Sequence, residues 1–185
     1  MAKGPKKSIP GHDTIVRKVA KTRWVKDIKT GQPRALPVAF ELRPKEEYLS
    51  ASWLEHAGST PDEGLHNTIK TLRQATTIPA GDKCAFALGI VDEVKETCLE
   101  YRRSIRIIHE GNSKNPSYAA VRQIGPNHLE LMEKLAASSW GRLVLNEHFP
   151  DPIPEDAHSE NPPAVASTET AERGAGVKEA ASSED

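Results

Sequence analysis

The residues best suited to chemistry lie between Arg106 and Ser117. Arg106 and His109 close a predicted strand, Ser104–Glu110. The polar run Gly111-Asn112-Ser113-Lys114-Asn115-Pro116-Ser117 then leads into a short predicted helix from Pro116 to Gln123. A helix N-terminus offers free N–H groups and partial positive charge, so it holds anions readily. Lys114 adds a full charge, Ser113, Asn115 and Ser117 add hydrogen-bonding groups, and His109 can act as a general acid or base. The same loop also reads as an ordinary strand-to-helix connection with Asn, Ser and Pro as caps. His66 and Arg73 lie seven residues apart, on one side of a second predicted helix. Packed near the loop, they would extend an anion-friendly cleft built from Arg106, His109 and Lys114.

A second constellation is basic. Residues 1–34 hold ten Lys or Arg against Asp13 and Asp27, a net charge of +8. Lys18, Lys21, Arg23 and Lys26 surround Trp24, a pattern that suits phosphate neutralisation plus one stacking platform for nucleic acid. Residues 148–185 hold nine Asp or Glu against Arg173 and Lys178, a net of −7. Such asymmetry fits a tail that screens a basic surface, and equally fits two solvated ends. The overall pI near 6.7 is far from that of dedicated nucleic-acid binders.

Other chemistries lack their patterns. Cys84 and Cys98 lie fourteen residues apart and no two histidines lie closer than ten, unlike paired zinc ligands, so no metal is expected. No nucleophile elbow, phosphate loop or dinucleotide fingerprint occurs, and no cofactor is implied. The acidic pairs Glu46–Glu47 and Asp92–Glu93 sit at predicted turn or strand boundaries, where solvated carboxylates are common.

The elements that must position these residues are punctuated clearly. Thr14–Lys26 suits one or two amphipathic strands, and KTGQPR is a turn. Arg34–Arg43 reads as a strand with Leu36, Val38, Phe40 and Leu42 on one face, with Pro37 marking an edge strand or a strand start. Tyr48–His56 alternates without deciding between strand and helical turn. Pro61–Thr76 has the signals of a helix: Thr60 as cap, Pro61 in first position, Glu63 completing a capping box, and Leu65, Ile69 and Leu72 as a buried stripe. Cys84–Val91 is an apolar run of central-strand length, and Val94–Arg103 fits either element. Asn127–Ser138 is a second helix, capped by Asn127, with Leu129, Met132, Leu135 and Ala136 inward. Gly141 stops it, and Arg142–Asn146 closes the domain as a strand.

About five strands in a mixed or antiparallel sheet, with two to three helices out of strict alternation, give an α+β fold. The domain is expected over 14–149, between a disordered basic arm at 1–13 and a disordered acidic tail at 150–185. No apolar window reaches the ~18 residues of a membrane span. With two cysteines among 185 residues, a reducing, cytoplasmic setting is expected. The expected function is a small binding or adaptor protein for a protein or nucleic-acid partner. The alternative is an enzyme acting on a phosphorylated or nucleotide-like substrate at the Gly111–Ser117 loop.

Overall fold

The computed structural model describes residues 6–79 and 82–149, so the predicted acidic tail lies outside the described residues. These belong to one unit, Met1–Asp151. Nine strands form among the described residues: β1 (Lys7–Ser8), β2 (Thr14–Val19), β3 (Trp24–Lys26), β4 (Pro33–Ala35), β5 (Tyr48–Trp53), β6 (Ala85–Ile90), β7 (Arg106–His109), β8 (Tyr118–Arg122) and β9 (Arg142–Leu145). Three helices accompany them among the described residues: α1 (Pro61–Thr76), α2 (Val91–Glu100) and α3 (Leu129–Lys134). Seven strands make one sheet in the order β1-β7-β8-β5-β2-β6-β9, with every neighbouring pair antiparallel. The remaining two, β3 and β4, form a hairpin of their own. The fold is α+β.

Each face of the sheet collects its own apolar set, because side chains alternate along a strand. The larger core holds Ile15, Leu49, Ala51, Trp53, Ile107 and Val121 from the sheet, with Val94 and Cys98 of α2, Leu131 and Met132 of α3, and Phe40 and Trp140 packed above them. The second core is smaller. There Leu65 and Ile69 of α1, with Leu72 at the margin, meet Val16 of β2 and Phe86 and Leu88 of β6. Full burial of a side chain such as Ile69 or Phe86 contributes about 1.5–3 kcal/mol. Helix α1 closes on the sheet through Gly64, where a Cβ would come within 2.7 Å of the Leu54 carbonyl oxygen. Its start follows the sequence: the Thr60 hydroxyl accepts from the Glu63 N–H, while the Glu63 carboxylate accepts from the Ser59 N–H.

Four expectations change. Arg34–Arg43 is not one strand: β4 ends at Ala35, and Pro37 opens a 3-10 turn over Pro37–Phe40 that delivers Phe40 to the core. Pro116 opens no helix. Tyr118–Arg122 is instead an interior strand, paired with β5 on one side and β7 on the other. The helix expected at Asn127 starts at Leu129, with His128 as its cap and Leu129 itself 65% exposed. Asn127 brackets Leu42 instead, accepting from its N–H and donating to its carbonyl. Finally, residues 6–13 are not an arm apart from the fold. Lys7 and Ser8 pair with β7, and Ile9 is buried, because a sheet edge offers unpaired donors and acceptors.

Candidate anion-binding groove

Helix α1 covers β2, β6 and β9 but leaves the other half of that sheet face without an apolar layer. The alternation that sends Leu49, Ala51 and Trp53 into the larger core turns Tyr48, Ser50 and Ser52 the opposite way. Their cross-strand partners on β8 are Arg122, Ala120 and Tyr118, and the next strand adds Arg106 and Ile108. None of these eight residues belongs to either apolar cluster. Small residues alternate with large ones here, and Ala120 and Ser52 are fully buried beneath them, Ser52 accepting from the Asn115 carboxamide. The Arg122 guanidinium lies over the Tyr48 ring, 4.5 Å from its centroid. Glu110 accepts from Arg122 in bidentate fashion at 3.0 and 2.8 Å and lies 3.2 Å from Lys6. Those two cations hold the Glu110 carboxyl below its usual range, the Arg122 hydrogen bonds being the larger cause.

Where this open half meets α1, a groove of about 480 Å³ runs between them. One wall is the last turn of α1, at Leu72, Ala75 and Thr76. The other is the Asn112–Asn115 loop, and Arg43 and Glu46 stand at one end. Val16, Ser50 and Tyr118 form the floor, Arg17 lines it from the split between β2 and β5, and Lys18 stands at the rim. The Tyr118 and Ser50 hydroxyls lie 3.1 Å apart, and burial pushes the Tyr118 hydroxyl up to about 12.

Arg17 is the unusual group. It is 8% exposed, and β2 leaves β5 after Val16, so its side chain fills the split between them. Its Nε donates to the Ala39 carbonyl at 3.0 Å and its Nη1 to the Ser50 carbonyl at 2.7 Å. The remaining donors of its five have no acceptor among the described residues, and no carboxylate lies within ion-pair distance. Burial, opposed in part by Glu46, lowers its pKa to about 10, so it stays charged at neutral pH. The difference from the ordinary value corresponds to about 3 kcal/mol against folding. An anion in the groove would offset that cost.

The sequence-predicted residues are dispersed. Lys114 and Asn115 line the groove, and from the basic segment Lys18 joins them. Ser113 is exposed. Arg106 lines a separate depression with Lys6, Lys95 and Arg122. With no helix after Asn115, the expected N-terminal amides are absent. The loop is held instead by Asn112, whose carboxamide oxygen accepts from Lys114 and Asn115, and by a buried chain from the Ser117 hydroxyl through Asn115 to Ser52. His109 pairs with Ala119 and points toward the larger core, away from the groove. There its Nε2 lies 2.7 Å from the Pro116 carbonyl, and its ring centroid lies 4.4 Å from that of His56 and 5.4 Å from that of Trp53, the latter pair T-shaped. His56 titrates below its usual range through partial burial, His109 and Lys7.

Arg73 is buried behind α1 and donates to Asn146 and Phe149, while exposed His66 stands 6.5 Å from the Phe149 ring. Trp24 is 6% exposed, with its Nε1 on the Lys83 carbonyl and Lys21 over its ring at 3.9 Å, so it offers no face to a base. Arg23 donates to the Val38 carbonyl, and Lys26 is exposed at the end of β3. Sequence reasoning missed Arg17, Arg43, Tyr48, Tyr118 and Arg122. The signal for two of them was present: Tyr118 and Arg122, with Ala120 between them, alternate with Ala119 and Val121, the period of a half-buried strand.

Among the described residues no group of three or more His, Cys, Asp or Glu could hold a metal. None of their helices is long and apolar enough to cross a membrane. Both cysteines are free and buried, and burial raises both thiols to about 11. No family model, curated protein or solved structure matches this chain.

Proposed function

We propose that this protein binds single-stranded nucleic acid across the open half of its sheet. The observation that carries the reading is the half of the face on β5, β8 and β7 that no apolar layer covers, where half-buried Tyr118, and Tyr48 with Arg122 over one face of its ring, stand among Arg106 and the groove cations Lys18, Arg43 and Lys114. Single strands are held by a cationic surface that follows the backbone and by aromatic rings on which bases stack. Six cations border this face (Lys6 with the five just named), against Glu46, Glu47 and Glu110. Ser50, between the two tyrosines on β5 and β8, is exposed. A duplex keeps its bases stacked inside, so it would use the charge of this face and not the tyrosines.

Fluorescence anisotropy with labelled oligonucleotides tests the reading. Single strands are expected to bind more tightly than the matching duplex, with affinity that falls steeply as salt rises. Tyr118→Ala is expected to weaken single strands about tenfold, in line with ~1–3 kcal/mol per stacked base, while duplex binding changes little. Failure of single strands to bind at low salt would sink the reading and leave a protein partner for this face.

A further inference from the structure

Resting on that reading, we propose that the groove beside α1 is a pocket for a terminal phosphate monoester, so that the bound strand is held by one of its ends. Arg17 is the first reason. It is a cation more than nine-tenths buried in the split between β2 and β5, where it lines the groove, fixed by the Ala39 and Ser50 carbonyls, with donors left over and no carboxylate partner among the described residues. A buried guanidinium presents its donors in a rigid fork that matches a phosphate.

The second reason is the rim. Lys18, Arg43 and Lys114 reach the same groove from β2, from the turn before β5 and from the loop before β8, so the charge there is convergent. The one carboxylate in the lining, Glu46, is engaged by Arg43, which lies 3.8 Å away and donates its backbone N–H to it. The third reason is the wall. A strand lying across β8 and β5 toward β2 meets the last turn of α1 and cannot continue over β6, because Leu65, Ile69 and Leu72 occupy that part of the sheet. The chain end is therefore the part that fits. A monoester also carries more negative charge than an internal diester, which suits a cluster of four cations. The groove volume falls within the about 300–1,000 Å³ of small-ligand sites. Tyr118, on the floor, supplies a ring for the terminal base.

The test compares one short oligonucleotide in three forms, 5′-phosphorylated, 3′-phosphorylated and unphosphorylated, titrated against the full chain by anisotropy. A nucleoside monophosphate and inorganic phosphate serve as competitors. One phosphorylated form is expected to bind about tenfold more tightly than the unphosphorylated strand, as charge-assisted hydrogen bonds imply. In a Lys18→Gln/Lys114→Gln double variant that preference should disappear, leaving the three forms equal. Equal binding of all three by the unaltered protein would overturn the end pocket and leave the strand-binding reading standing. Binding of the monophosphate without any oligonucleotide would keep the pocket and overturn the strand. A preference that survives the double variant would place phosphate recognition elsewhere and overturn the assignment to this groove.

Discussion

Two arginines beside this sheet are equally buried, and the two are used differently. Under α1, Arg73 donates to the Asn146 side chain, the Asn146 carbonyl and the Phe149 carbonyl. Asn146 in turn donates to the Pro79 and Asp82 carbonyls, so one network joins helix, loop and the end of β9. In the split between β2 and β5, Arg17 has two carbonyl acceptors among the described residues and lines the groove. Both side chains are 8% exposed. Burial alone therefore does not separate a structural cation from a receptive one. The count of satisfied donors does, because a cation taken from water and left partly unpaired is stabilised by an incoming anion.

The comparison is broken most directly at Arg73. Arg73→Met strands buried carbonyl oxygens and should cost about 3 kcal/mol or more in urea denaturation, with little change in any oligonucleotide affinity measured on the folded fraction. A loss under ~1 kcal/mol would mean the network is dispensable. Arg17→Met should show the reverse weighting. The stability loss is expected to be smaller, about 1 kcal/mol, since an unfavourably buried charge is removed together with two hydrogen bonds. Affinity for the end-phosphorylated oligonucleotide should fall by up to about tenfold. If the two methionine variants lose stability equally and binding is untouched, Arg17 is as structural as Arg73.

A finer probe is the tyrosine pair. Tyr48→Phe and Tyr118→Phe should bind as the parent does, because stacking uses the ring and not the hydroxyl. Strong loss in Tyr118→Phe alone would instead point to its hydroxyl, which touches Ser50. The smallest expected effect is on pH. Because the folded-state pKa of His56 lies below its ordinary value near 6.5, the unfolded chain binds more protons in the window between the two. Its contribution is present above about pH 6.5 and lost as pH falls through that window. The His56→Gln variant should therefore have a flatter melting temperature between pH 5 and 7 than the parent. Identical profiles would show that the His56–His109 contact carries no linkage.

Much of the framework was legible. The capping signals of α1 stand out because they are local: Thr60, Pro61 and Glu63 need only their neighbours to act. β7 carries a period-two pattern, β2 falls within the expected amphipathic strand, and the apolar run at Ala85–Ile90 is an interior strand flanked by β2 and β9, whereas the alternation of β5 did not separate a strand from a helical turn. The Pro33–Phe40 region misled because its alternation was real but its prolines broke it into a strand and a turn. At Tyr118–Arg122 a proline and two alanines resemble a helix start, yet pairing with strands on both sides outweighs so weak a propensity.

The candidate site divides the same way. Sequence alone determined that the chain carries an α+β domain, that α1 begins and ends where it does, and that Lys114 and Asn115 belong to a tight polar loop. Each of those is an interaction among residues close in the chain. Only the tertiary structure decided that Trp24 is core, that His109 and Lys114 part to opposite faces of the sheet, and that Arg17 is buried without a carboxylate beside a groove. Those outcomes depend on which strands become neighbours. Arg17 meets Ala39 and Ser50 across 22 and 33 residues of chain, a separation at which no local pattern records the contact.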